Sequence, residues 1–155
     1  MQIKIDKVEK IIFLGGGQQL IRLARWCKCK GDKLFIVTSP RHAEEIIESG
    51  KTFTEILSLE NISFIVVEEI SSNEVKNYLG NLSNAFCLSH GAAWIFKKET
   101  IKTLFKEKLF NLHGTKLPQN RGGEGFSWQI MMGHRFGFCQ LHLVDSGVDT
   151  GEIVK

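Results

Sequence analysis

The stretch IIFLGGGQQLIRLARWC, residues 11–27, is where the fold declares itself. Ile11 to Leu14 is a short apolar run of the kind buried in a parallel sheet. It breaks at Gly15-Gly16-Gly17, after which Leu20, Ile21, Leu23, Ala24 and Cys27 recur at helical spacing. Strand, glycine turn and helix open an α/β unit. The alternation continues with a second apolar run, Leu34 to Val37, closed by Thr38-Ser39-Pro40. Pro40 stands where a first helical turn tolerates it, so residues 41–50 read as a second helix, stopped by Gly50. Phe64 to Val67 is the next strand, and Ser71 or Ser72 then caps SNEVKNYLGN as a helix. Phe86 to Leu88 is a strand running into Ser89-His90-Gly91. Beyond it come a helix over 97–105, a strand over 109–112, a helix over 126–132 and a strand over 138–144. Gln140 and His142 share one face of that last strand. The pattern predicts an α/β fold with an open, doubly wound, mainly parallel sheet. No repeat or linker divides it, so residues 1–155 are expected to form one domain.

Composition narrows the function classes. With 155 residues, 43% hydrophobic and 24% charged, the chain fits a soluble globular domain that buries about 70% of its unfolded surface. A net charge of +3 with dispersed lysines makes no case for a nucleic-acid partner. The four cysteines, at 27, 29, 87 and 139, form no C-x-x-C pair. No metal site is expected, and reduced thiols in a cytoplasmic protein are. The first residues lack the apolar core of a signal peptide, and no apolar run nears the roughly 20 residues of a membrane span. No membrane partner is expected; a homodimer is left open.

Ligands of such sheets bind beyond the carboxyl ends of the strands. Two loop systems compete for that role. Gly15, Gly16 and Gly17 precede a helix, where a phosphate of a substrate could rest. The G-x-G-x-x-G fingerprint fails, because position 20 is Leu, and no acidic residue ends the second strand. A tight turn that needs positive φ explains the glycines equally well. The second system is richer: Ser89-His90-Gly91, Asn111 to Gly123, and Asp145 to Gly151. Asn111 and His113 exit one strand two residues apart, which puts both side chains on one face.

These residues resemble a known family. Asn111-Leu112-His113, Leu117-Pro118, Arg121-Gly122-Gly123 and Asp145-x-Gly147-x-Asp149-Thr150-Gly151 look like the folate-dependent formyltransferase domain. Methionyl-tRNA formyltransferase, glycinamide ribonucleotide transformylase, formyltetrahydrofolate deformylase and sugar-nucleotide N-formyltransferases share it. The resemblance is tight from about Ser89 to Val154 and only a compatible pattern before that. It implies a Rossmann-like formyltransferase fold, a catalytic set of Asn111, His113 and Asp149, and 10-formyltetrahydrofolate as formyl donor. It also places the pterin against Ala93, Trp94, Ile95 and Phe96 and the loop from Asp145 to Asp149. The segment Thr115-Lys116-Leu117-Pro118 would line the folate site. Thr115 and Lys116 depart from the Ser-Leu of many relatives, and Phe96-Lys97 from a common Leu-Pro or Leu-Ser.

Such residues suit formyl transfer, in which a neutral amine attacks a formamide carbon and charge develops on its oxygen. Asn111 offers an uncharged N–H to that oxygen, a role worth roughly 3–4 kcal/mol in comparable sites. His113 can donate to the same oxygen or take the amine's proton, and Asp149 can orient the imidazole or relay the proton. Elsewhere the plainer readings lead. His42 and His134 read as satisfied polar side chains, His142 as strand packing and Trp128 as core. Arg121 is a loop anchor or a phosphate contact, Asp145 braces its turn or shapes the pterin pocket, and His90 is a candidate substrate contact. The acceptor is expected to be a small-molecule primary amine, first of all an amino sugar on a nucleotide carrier. Methionyl-tRNA formyltransferase-like and deformylase-like activities are alternatives, as is a non-catalytic folate- or nucleotide-binding module. The chain ends at Lys155, directly after the third motif, which suggests a fragment or a short domain.

Overall fold

The computed structural model describes residues 7–123 and 125–154. Contacts divide the chain into two compact units, with the boundary between Trp94 and Ile95.

In the first unit, β1 (Lys10–Gly15) leads through the glycine turn into α1 (Gln18–Cys29) and β2 (Leu34–Thr38). Then follow α2 (Pro40–Ala43), β3 (Ile46–Glu48), β4 (Lys51–Thr52), α3 (Phe53–Leu59), β5 (Ser63–Val66), α4 (Asn73–Leu79) and β6 (Ala85–His90). The strands pair in parallel in the order β5-β2-β1-β6. Ile12 and Leu14 of β1 and Leu20, Ile21 and Ala24 of α1 are fully buried, as the apolar periodicity requires. Strand order turns back between β1 and β6, whose carboxyl ends, Gly15 and His90, are in register. Gly15 has φ +131°, and a Cβ there would lie 2.0 Å from the His90 carbonyl oxygen. Only glycine lets β1 leave the sheet at that point.

The helix expected over 41–50 is corrected by the structure. Only Pro40–Ala43 is helical, and Ile46 to Thr52 forms the β3–β4 hairpin. Its turn places Ser49 and Gly50 at φ 52° and 73°, the geometry of a tight hairpin turn. Thr52 then caps α3 in a reciprocal box: its hydroxyl accepts from Glu55 N (3.2 Å) and Glu55 accepts from Thr52 N (2.7 Å). Such a cap contributes about 1 kcal/mol. Ser72 caps α4, in line with the sequence. Cys27 and Cys29 lie within α1, and of the two only Cys27 is buried.

The second unit holds α5 (Lys98–Thr103), β7 (Leu109–His113), α6 (Gly125–Met131), β8 (Gln140–Leu143) and β9 (Ile153–Val154). Here β7, β8 and β9 pair antiparallel. The parallel character therefore belongs to the first unit, and β8 and β9 are its antiparallel counterpart. Trp128 is not core: it is 56% exposed, because α6 buries Gly125 and Gln129 instead. Among the described residues, no helix is long and apolar enough to cross a membrane.

Candidate active site

β7 delivers Asn111 and His113 to one face, and the antiparallel register sets His142 opposite Asn111 and Gln140 opposite His113. Four polar side chains thus share one patch of the β7–β8 face. Asp149, in the loop after β8, reaches back to it. Its Oδ1 accepts from Asn111 Nδ2 (3.2 Å) and lies 3.3 Å from His142 Nε2. Its Oδ2 accepts from the Gly122 N–H (2.8 Å) and lies 3.4 Å from His113 Nδ1. Asp149 sits at φ 50°, a left-handed conformation that costs about 1 kcal/mol for a residue with a Cβ. The partners on both carboxylate oxygens hold it there.

The imidazoles are oriented from behind. His142 is 2% exposed, and its Nδ1 donates to the Leu143 carbonyl at 2.7 Å, since that oxygen can only accept. Its Nε2 is then free to accept from Asn111 Nδ2 at 3.1 Å. His113 Nε2 lies 2.8 Å from the Asn120 carbonyl and 2.7 Å from Thr115 Oγ1. The two rings meet nearly edge to face, 6.2 Å between centroids. His142, read from the sequence as packing, therefore belongs to the same cluster. Its signal was its place on one strand face with Gln140, which gains meaning only when β8 is set against β7.

The loops around the cluster are tied to it. Arg121 Nε donates to the Asp149 carbonyl (3.1 Å), which makes it a loop anchor. Asp145 braces its own turn, accepting from Gly147 N (3.1 Å) and Thr150 Oγ1 (2.5 Å). Leu117 is buried and its N–H donates to Gln140 Oε1 at 2.6 Å. Thr115 is 2% exposed, while Lys116 lies over the Phe138 ring and Pro118 is exposed. Phe96 packs edge-on against Phe105, and Ile95 beside it is 76% exposed.

In the first unit, Trp94 donates from its indole nitrogen to the Glu68 carbonyl (2.8 Å), Ala93 is exposed and His90 ends β6. The glycine turn is explained largely by packing. Gly15 is needed against His90, and a Cβ on Gly16 would strike the His42 side chain at 2.5 Å. His42 is in turn fixed by Ser39 Oγ, 3.0 Å from its Nδ1, and burial pushes its imidazole below the ordinary value. Gly17 caps α1 with φ 88° and no side-chain cap bond.

No family model matches the chain. It is 30% identical over 101 residues to the methionyl-tRNA formyltransferase of Clostridium tetani, which covers 64% of this chain and 32% of that protein. The chain spans about a third of the length of the curated relatives it matches. A phosphoribosylglycinamide formyltransferase from Brucella melitensis has the same fold, with a TM-score of 0.68 at 17% identity over 97% of this chain and 78% of its own. A formyltetrahydrofolate deformylase from Pseudomonas syringae also scores 0.68, at 14% identity over 97% of this chain and 50% of its own. The chain is thus similar in sequence to the first protein and shares the mainly parallel, Rossmann-like fold of the other two.

Proposed function

We propose that this chain carries the chemical centre of an enzyme that moves a formyl group from 10-formyltetrahydrofolate to a primary amine. The observation that carries this reading is the convergence of Asn111, His113 and His142 on the two oxygens of Asp149. Among the described residues, the groups that meet the Asp149 carboxylate are an amide, two imidazoles and a backbone N–H. The hydroxyl beside the cluster, Thr115 Oγ1 at 2.7 Å from His113 Nε2, is 2% exposed and donates to the Asn120 carbonyl. That set fits a donor attacked directly by the amine, with no covalent enzyme intermediate.

When bound, the folate supplies a formamide carbon as electrophile. The family resemblance assigns its pterin to the Ala93–Phe96 stretch and the Asp145–Asp149 loop. His113 would take up the amine's proton, with Asp149 Oδ2, 3.4 Å from Nδ1, pairing with the resulting charge, and would return it to the folate nitrogen as that nitrogen's bond to the formyl carbon breaks. Asn111 serves the formyl oxygen. Both of its N–H bonds are engaged at 3.1 and 3.2 Å, long contacts that an oxygen of growing negative charge displaces at little cost. His142 keeps the amide aimed. The side chains of His113 and Asp149 are 11% and 16% exposed, shielded yet reachable.

The acceptor we propose first is an amino sugar on a nucleotide carrier. The sequence relatives are named for methionyl-tRNA, which makes that amine the second reading. The test mixes the protein with 10-formyltetrahydrofolate and a panel of both acceptor types and reads free tetrahydrofolate by absorbance. Release with a sugar nucleotide is the expected result, and release with methionyl-tRNA alone moves the acceptor. Release without any amine would point to a hydrolase, and folate binding without release to a non-catalytic module.

A further inference from the structure

We propose that Thr115 is a positioning residue that selects which nitrogen of His113 accepts a proton. The proposal rests on the formyl-transfer reading of His113, but its test does not. Three atoms form a triangle behind the ring: His113 Nε2, Thr115 Oγ1 and the Asn120 carbonyl oxygen. Their separations are 2.7 Å from Nε2 to Oγ1, 2.8 Å from Nε2 to the carbonyl and 2.6 Å from Oγ1 to the carbonyl.

Only one proton arrangement satisfies all three edges. The carbonyl can only accept, so Thr115 O–H donates to it. The Nε2–H then points between Oγ1 and the carbonyl and donates to both. A bare Nε2 would set its lone pair against the carbonyl at 2.8 Å. On the other side of the ring, Asp149 Oδ2 asks for the proton on Nδ1, at 3.4 Å. The shorter contacts decide. The neutral ring carries its proton at Nε2, and Nδ1 is the basic nitrogen.

This assignment has a consequence for the chemistry. A proton arriving at Nδ1 meets Asp149, and the charged ring then has an acceptor at each end. In the opposite tautomer the basic nitrogen would face the Asn120 carbonyl, and Nδ1 would already be spent on the carboxylate. The clasp is also packed in place. Thr115 is 2% exposed, and a Cβ on Gly125, the first residue of α6, would lie 2.6 Å from Thr115 Oγ1 and 3.0 Å from the Asn120 carbonyl. A threonine that merely closed its own turn would need the bond to Asn120 alone.

The test is the ring tautomer of His113, read by nitrogen NMR on the histidine-labelled, ligand-free protein. It is run at about pH 8.5, two units above the ordinary imidazole value. The five histidines are sorted by the signal lost in His113→Gln. Expected is a protonated Nε2 and a bare Nδ1 in the native protein and in Thr115→Ser. Thr115→Val removes, at nearly constant volume, both the Oγ1 acceptor and the hydroxyl that holds the Asn120 carbonyl against Nε2, so the proton should move toward Nδ1, where Asp149 Oδ2 accepts it. In turnover, Thr115→Val should lower kcat about tenfold at unchanged KM, with Thr115→Ser close to native. A native His113 protonated at Nδ1, or a tautomer indifferent to Thr115→Val, would overturn the proposal. The NMR reading stands whether or not any amine supports turnover.

Discussion

Residues 15–17 and residues 145–151 are both loops punctuated by glycine, and they differ in the carboxylates that only the second carries. In the first, Gly15 is required by the His90 carbonyl and Gly16 by the His42 side chain. No side-chain cap serves the helix that follows. In the second, the glycines are needed in the same two ways, one against a side chain and one against a carbonyl. A Cβ on Gly147 would lie 2.0 Å from Thr150 Oγ1, and one on Gly151 1.7 Å from the Leu143 carbonyl. The second loop also carries two carboxylates with different tasks. Asp145 closes its own turn, and Asp149 reaches β7 and β8. Glycine content alone therefore says little about ligands. A carboxylate on which two imidazoles and an amide converge says a great deal.

Alanine substitutions test the contrast. Gly151→Ala and Gly15→Ala press a methyl group into a carbonyl that cannot yield, and each should cost roughly 3 kcal/mol or more by urea unfolding. Gly17→Ala meets nothing within 4 Å and bears only its φ of 88°, so a loss of about 1 kcal/mol is expected. Equal losses at Gly15 and Gly17 would remove the packing account of the first loop.

The smallest effect concerns His42. Burial lowers its pKa, Glu45 opposes that and Arg41 adds to it. The unfolded chain then binds this proton at a higher pH than the folded one. Stability should rise with pH up to about 6.5, the ordinary imidazole value, and flatten above it. His42→Gln should shallow that slope; an unchanged slope would show that another group sets it.

How much of this was legible beforehand varied with the physics. The β1–glycine–α1 unit and the pairing of Asn111 with His113 follow from period and spacing alone. Asp149 was found through a motif, because no spacing along the chain brings it to β7. The β3–β4 hairpin was missed because Ile46 and Ile47 suit a helix as readily as a strand. The Ser49-Gly50 turn and the Thr52-x-x-Glu55 cap were the decisive local signals. His142 stayed hidden because its meaning lies in cross-strand register, which single-strand alternation does not contain. Trp128 misled because α6 buries a glycine and a glutamine, leaving aromatic and aliphatic side chains outside.

In the proposed function the chemistry resides where Asp149 gathers its partners. Its most direct test is tetrahydrofolate release from 10-formyltetrahydrofolate, with the acceptor identified on the panel, by the native protein and by Asp149→Ala. Turnover should fall by about a thousandfold in Asp149→Ala while the unfolding midpoint shows the fold retained. Near-native turnover in Asp149→Ala would contradict it.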